Sequence, residues 1–338
     1  MESVDKEITH QIIKLLQEAR LSTENLTILP FDLGGNNQTF RVQTIAGVFV
    51  AKKYFSHHDD KRDRLASEFS FLSFVQDITK EMVPRAIAKL PVYNIALYEF
   101  IEGLPLAAGE ISQKEVNTAV DFFCKINQPQ FRQAAKNIPK ASEACFSIED
   151  HISLIKNRIN QLLKINTHTT YSNTIHEYAN RLNAHLEQLK KSTLKSNLLP
   201  EQWCISPSDF GFHNALKRNN NNICFIDFEY AGWDDPAKMA ADFFSQLAVP
   251  VPPKYFETFV KQSMSCFPHA NDLVERAFFL RPIYQIKWCC IALNIFLPYH
   301  LERRKFANKD LNLIELQQNQ LTKAKKILDL LENEYVQC

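Results

Sequence analysis

The chain lacks a surplus of charge of either sign: 39 basic residues stand against 38 acidic ones, a formal net charge of +1. No field of one sign advertises a polyanionic partner, so nucleic acid is not expected. A long apolar run is also missing. The longest stretch, CCIALNIFLPY from Cys289, is broken by Asn294 and Pro298. It falls short of the roughly 18 to 20 residues that span a bilayer, so it is expected to be a buried helix with no membrane partner. The eight cysteines contain no CxxC pair, which argues against a zinc site or a disulfide framework. The adjacent Cys289 and Cys290 are expected to pack as small hydrophobes. The start, MESVDKEITHQIIKLLQEARL, sets charges among apolar residues at helical spacing and shows no signal-peptide pattern; a cytoplasmic location is expected. Glycine is scarce, seven in 338 residues, so each marks a place where backbone turns or is approached closely.

At 338 residues the chain exceeds the roughly 250 to 300 residues at which single cores stop growing. Two lobes are expected. Residues 26–55 alternate as strands do, in LTILPFDL, TFRVQTI and VFVAKKYF, with Gly34, Gly35 and Gly47 at the turns. A helix is expected from about Asp59 to Gln76, its apolar face made by Leu65, Phe69, Leu72 and Val75. Two further strands, near RAIAKL and IALYEFIE, complete a five-stranded antiparallel sheet. Beyond Ile111 the periodicity is helical near 113–127, 150–165, 172–192 and along 273–334. It is interrupted once, by WCISPSDFGFHNALKRNNNNICFIDFEYAGW, which reads as strand, loop, hairpin through the asparagines, and strand. The expected fold is α+β and bilobal, with residues 1–103 (a helix plus the sheet) as one lobe and the mainly helical 104–338 as the other.

Phosphoryl transfer needs a carboxylate for the hydroxyl proton, hard ligands for a metal, a cation on the phosphates and a loop over them. In the β interruption Asn214 follows Asp209 by five residues and Asp227 lies thirteen further on. One short hairpin between them would converge all three, in the D-x4-N then D-F arrangement of the protein-kinase fold.

SDFGFHN followed by FIDFEYAGWDDPAK resembles the catalytic loop and metal motif of aminoglycoside phosphotransferases, and IDFEY is similar to choline and ethanolamine kinases. The resemblance covers residues 26–248. It implies a small-molecule kinase using ATP (or GTP) and Mg2+, with a protein-kinase-like architecture and residues 1–103 as the nucleotide-binding lobe. Asp209 would be the general base or orienting carboxylate, and Asn214 and Asp227 would hold magnesium; Glu229 would reach a second ion. VFVAKKYF resembles the strand carrying the phosphate-contacting lysine. Lys52 fits that register, while a VAxK reading selects Lys53. Glu68 matches the helical glutamate paired with that lysine. LGGNNQTF resembles the nucleotide-covering loop, where Gly34, Gly35 and Asn37 would turn amides toward phosphate. Backbone of Glu99 and Ile101 would meet the base.

Two positions depart from the family's pattern: Pro207 stands where histidine is usual, and Met239 where aspartate follows DP. They motivate a second reading, a degenerate kinase fold that binds nucleotide or metabolite without transfer, although the phosphate and metal positions remain. Asp242 is a candidate replacement for the missing aspartate. The acceptor, an amino sugar, sugar or amino alcohol, is not identified by spacing. A choline-type cage would draw on Tyr230, Trp233, Asp234 and Asp235, whereas 111–192 is too mixed in charge for an aminoglycoside site. His213 reads as a loop histidine satisfied by its neighbours. Oligomeric state is not legible.

Overall fold

The computed structural model describes residues 5–31, 36–57, 60, 62–166, 170–189, 197–308 and 311–336. The alternating segments form strands β1 (Thr27–Pro30), β2 (Gln38–Thr44) and β3 (Gly47–Lys53), and two more follow, β4 (Ala86–Leu90) and β5 (Ile95–Glu99). All pair antiparallel in the order β1-β2-β3-β5-β4. The period-2 alternation of a strand sends successive side chains to opposite faces. One face takes Val42, Ala51, Ile95 and Leu97, which pack with Ile12, Leu15 and Leu16 of helix α1 (Lys6–Glu18). The other takes Lys52, Ala96 and Tyr98.

Helix α2 (Arg64–Thr79) begins several residues later than the periodicity alone predicts, because Asp63 caps it, accepting a hydrogen bond from Ala66 N at 2.8 Å. Its buried face is made by Leu65, Glu68, Phe71, Leu72 and Val75, with Phe69 only partly covered.

A short strand β6 (Leu104–Pro105) leads into helices α3 (Gln113–Ile126), α4 (Pro129–Ala134), α5 (Ile148–Leu163) and α6 (Ser172–Leu189). Ser112 with Glu115 and Ser147 with Asp150 close capping boxes on α3 and α5. The β interruption comprises β7 (Cys204–Ser206), the β8 (Ala215–Lys217) and β9 (Ile223–Phe225) hairpin, and β10 (Gly232–Asp234). β10 pairs with β7, and β8 pairs with both β9 and β6. At Gly103 a Cβ would lie 2.9 Å from Lys217 O, so glycine is what lets the chain entering β6 run against β8.

Helices α7 (Pro236–Ser245), α8 (Phe256–Met264), α9 (Ala270–Leu293), α10 (Pro298–Ala307) and α11 (Leu313–Val336) complete the chain. α9 runs through the middle of this body, against α5, α6, α7, α8 and α11. The apolar stretch from Cys289 is helical only to Leu293, the buried end of α9; it then passes through a 3-10 turn, Asn294–Phe296, into α10 at Pro298, so it is not one buried helix. Cys289 and Cys290 are fully buried, and burial pushes the Cys290 thiol up to about 12. Among the described residues no helix is long and apolar enough to cross a membrane.

Candidate active site

Both carboxylates of the motif sit beside a phenylalanine that is driven into the core. Phe210 and Phe228 are buried, with ring centroids 4.8 Å from Phe225 and 4.7 Å from Phe71 respectively. Anchoring the aromatic neighbour fixes the loop and leaves the carboxylate at the surface of the cleft. The backbone assists. Ser208 and Asp227 take φ of 50° and 66°, in the left-handed region that non-glycine residues rarely occupy. Such conformations cluster at functional sites, where the surrounding structure holds them in place.

The two loops are tied together. Ile226 N donates to Asn214 O at 2.9 Å, and Asn214 Nδ2 donates to Asp209 O at 3.0 Å. Asp209, Asn214 and Asp227 thereby converge. Asn214 and Asp227 line two adjoining cavities, whereas Asp209 lines only the larger one.

The smaller cavity lies under the sheet and encloses about 760 Å³ including its mouth. Lys52 Nζ stands in it, 2.6 Å from Glu68 Oε2 and 2.5 Å from Asp227 Oδ1. Burial opposes the ammonium charge, but Asp227, Glu68 and Glu229 outweigh it and hold the Lys52 pKa well above the usual value. Glu68 is pushed up by burial despite Lys52. It also accepts from Tyr54 OH at 2.7 Å, and its second oxygen accepts from Phe228 N at 3.3 Å. Lys53 points the opposite way and donates to Gln11 of α1 at 2.8 Å. The alternation of β3 thus assigns the cleft to Lys52.

Glu99, Phe100 and Ile101 line the same cavity. The Glu99 amide donates to Arg85 O at 3.0 Å, so a ligand cannot use it. Asn37 is buried: its Nδ2 donates to Glu229 Oε2 at 2.6 Å and its Oδ1 accepts from Phe55 N at 3.1 Å. Glu229 lies 3.7 Å from Arg64 Nε and is 1% exposed; its Oε2 is engaged by Asn37 while its Oε1 is buried without a partner. Gly34 and Gly35 lie outside the described residues.

The larger cavity encloses about 1470 Å³ including its mouth and is walled by α5, α7, α9, α10 and α11. At its floor His213 Nε2 lies 3.4 Å from Asp209 Oδ1. Burial alone would raise the Asp209 pKa. The bond and charge of His213, the charge of Lys287 and the Asn214 amide overcome burial and hold it below the ordinary carboxylate value. Burial would lower His213, but Asp209 raises it. A Cβ on Gly211 would meet His213 Nδ1 at 2.7 Å, so glycine there leaves room for the imidazole.

Several wall residues carry no motif. Asp242 accepts from Lys287 Nζ with both oxygens at 2.9 Å and from Trp288 Nε1 at 2.9 Å. Glu143 pairs with Arg158. Sequence singled out His213 and Asp242, but not Glu143, Arg158, Lys287 or Trp288, which come from separate segments of the wall. Of the four residues considered for a cage only Tyr230 lines this cavity. Asp234 and Asp235 are fully buried, bound by Lys238 at 2.5 Å and by Arg276 at 2.6 Å with His151 at 3.0 Å. Trp233 Nε1 donates to Ala135 O at 3.3 Å. Met239 is core.

No curated protein sequence matches this chain. The fold is similar to that of the choline kinase from Cryptosporidium parvum Iowa II, with a TM-score of 0.59 and 14% identity, covering 95% of this chain and 97% of that one. The gentamicin complex of the phosphotransferase APH(2")-IIa gives 0.58 and 16%, covering 96% and 97%. Spectinomycin phosphotransferase APH(9)-Ia, in complex with ADP and spectinomycin, gives 0.54 and 13%, covering 92% and 98%. These likenesses establish a kinase-like fold. Residues 27–263 match the model of the phosphotransferase enzyme family, and the chain belongs to that family.

Proposed function

We propose that this phosphotransferase moves the γ-phosphate of ATP or GTP, with magnesium, to a hydroxyl of a small molecule. The observation that carries this reading is the meeting of the two cavities at Asn214 and Asp227, with Lys52 on one side and Asp209 on the other. In-line transfer needs that layout: a cation on the donor phosphates, a proton acceptor beside the nucleophile, and one shared point where phosphorus changes partners. Residues 1–103 serve as the nucleotide lobe and 104–338 as the lobe of the acceptor. The ADP complex of the spectinomycin enzyme supports a nucleotide in the smaller cavity. A cytoplasmic setting, where thiols stay reduced, suits the free cysteines of the described chain.

Lys52, positioned by Glu68, holds the phosphates, and the edge at Glu99–Ile101 receives the base. The amide oxygen of Asn214 and the carboxylate of Asp227 are hard donors facing one cleft, a set that suits magnesium, which takes its remaining oxygens from phosphates and water. Bound there, the ion would neutralise phosphate charge. Asp209, ionised, orients the acceptor hydroxyl and takes its proton. The acceptor oxygen bonds to the γ-phosphorus as the bond to the bridging oxygen breaks, and the electron pair leaves with the nucleoside diphosphate.

The test is diphosphate formation from ATP and magnesium across a panel of sugars, sugar phosphates, hydroxy acids, amino sugars and amino alcohols, wild type against Asp209→Ala. Acceptor-stimulated turnover that vanishes in the variant is expected. Equal turnover in the two proteins would exclude Asp209 from the chemistry.

A further inference from the structure

The larger cavity has more positive charge than its own carboxylates can absorb. Its acids are already engaged. Glu143 is paired with Arg158, Asp242 with Lys287, Asp227 with Lys52, and Asp209 faces His213. Arg62, also on the wall, is held by Asp60, 2.6 Å from Nε. Three cations remain, all from the last two helices: Arg303 and Arg304 of α10 and Lys323 of α11. Among the described residues none of the three forms an ion pair. Arg303 NH1 donates to Tyr230 OH at 3.1 Å, a neutral partner.

Polar atoms around these cations are also left without partners. Arg303 Nε, Arg158 Nε and His300 Nδ1 are buried and make no hydrogen bond. A buried donor without an acceptor is costly, and a charged one more so. Three uncompensated cations in one cavity repel one another as well. Burial, followed by the charges of Arg303, Arg158 and Arg62, depresses His300 to about 3. Burial and Arg303 lower Arg304, while the Asp209 charge acts on it in the opposite sense. Arg304 therefore stands within electrostatic reach of the carboxylate that receives the acceptor. A cationic acceptor would meet this surplus, and of the four acids on the wall only Asp209, whose role is to face the hydroxyl, is not paired with a lysine or arginine.

We propose that the acceptor is an anionic alcohol, one that carries a phosphate or carboxylate held by Arg303, Arg304 and Lys323 while its hydroxyl faces Asp209. This assignment rests on the kinase reading above and narrows it away from amino sugars and amino alcohols. The anionic group supplies acceptors to the orphaned guanidinium nitrogens, in the charge-assisted geometry that arginine favours. It takes no part in the bonds made and broken; the hydroxyl alone reacts.

Binding is tested by thermal shift with the nucleotide site first saturated by magnesium and ADP. Glycerol 3-phosphate and glucose 6-phosphate then represent phosphate-bearing alcohols, glycerate a carboxylate-bearing one, glucose and glycerol neutral ones, and glucosamine and choline cations. At least one anionic alcohol should stabilise further, weakening with added salt; which arm responds distinguishes phosphate from carboxylate. In Arg303→Gln/Arg304→Gln its affinity should fall on the order of tenfold or more, and in Lys323→Gln by less. The magnesium-ADP shift, which uses neither arginine, reports that each variant is folded. Stabilisation by glucosamine or choline in place of the anions, no response to any anionic alcohol at millimolar concentration, or an unchanged response in the double variant would each overturn the proposal. Absence of the magnesium-ADP shift itself would instead overturn the kinase reading beneath it.

Discussion

Lys52 and Asp227, 175 positions apart in sequence, meet at 2.5 Å where the floor of the sheet faces the loop between β9 and β10. The pair joins the two halves of the cleft and presents a cation and an anion to the same space. Glu68 lies on the other side of the ammonium at 2.6 Å and is 3% exposed.

Replacing Lys52 by Met should therefore cost stability as well as activity. It leaves Glu68 buried without its cation, a loss of about 3 kcal/mol. Chemical denaturation of Lys52→Met and of Lys52→Met/Glu68→Gln measures this. The double variant should recover part of the loss, because the uncompensated charge is gone. A double variant no more stable than the single one would show that the pair is not what stabilises α2 against β3.

Asp209→Asn should retain magnesium-dependent nucleotide binding and lose roughly 100- to 10,000-fold in kcat, the range of a general base. The split between binding and turnover is the informative result. A variant that loses nucleotide affinity to the same degree would place Asp209 on the donor side instead.

His300 carries a pH prediction. Its pKa is depressed to about 3 by burial and by Arg303, Arg158 and Arg62, with Glu143 acting weakly in the other direction. Between roughly pH 6.5, where an unfolded histidine titrates, and about 3, the unfolded chain binds the extra proton. Stability contributed by the neutral imidazole is thus complete above pH 6.5 and declines as pH falls, by at most about 1.4 kcal/mol per pH unit. Melting curves of His300→Gln should show a shallower acid-side decline than wild type. Parallel curves would mean that His300 is charged in the folded protein.

Asp235→Ala tests the burial of the residue that follows β10. Asp235 is fully buried and bound by Arg276 and His151, so its removal strands a buried guanidinium and should destabilise by about 3 to 5 kcal/mol. Measured by denaturation, an effect under about 1 kcal/mol would mean that this network is not structural.

The sheet was legible because strand alternation is local: the same period that separates Ala51 from Lys52 also turns Lys53 toward α1. The convergence of Asp209, Asn214 and Asp227 was legible because only a short hairpin separates them. The wall of the larger cavity was not. Glu143, Arg158, Lys287, Arg303 and Lys323 come from five separated segments, and spacing carries no information about which helices will face one another. The same limit explains the imagined cage. Asp234 and Asp235 stand beside the motif in sequence, but the partner that removes Asp235 from the cleft, Arg276, lies 41 residues further on. The later start of α2 reflects a single cap at Asp63, which outweighs the periodicity upstream.

The most direct measurement is calorimetric titration of ATP into the wild-type protein and Asp227→Ala, each with and without magnesium. Wild type should bind ATP more tightly with magnesium, and the variant should lose that dependence, since the carboxylate shared by the two cavities is gone. Equal magnesium dependence in both proteins, or no ATP binding by wild type at millimolar concentration, would contradict the assignment of this cleft to phosphoryl transfer.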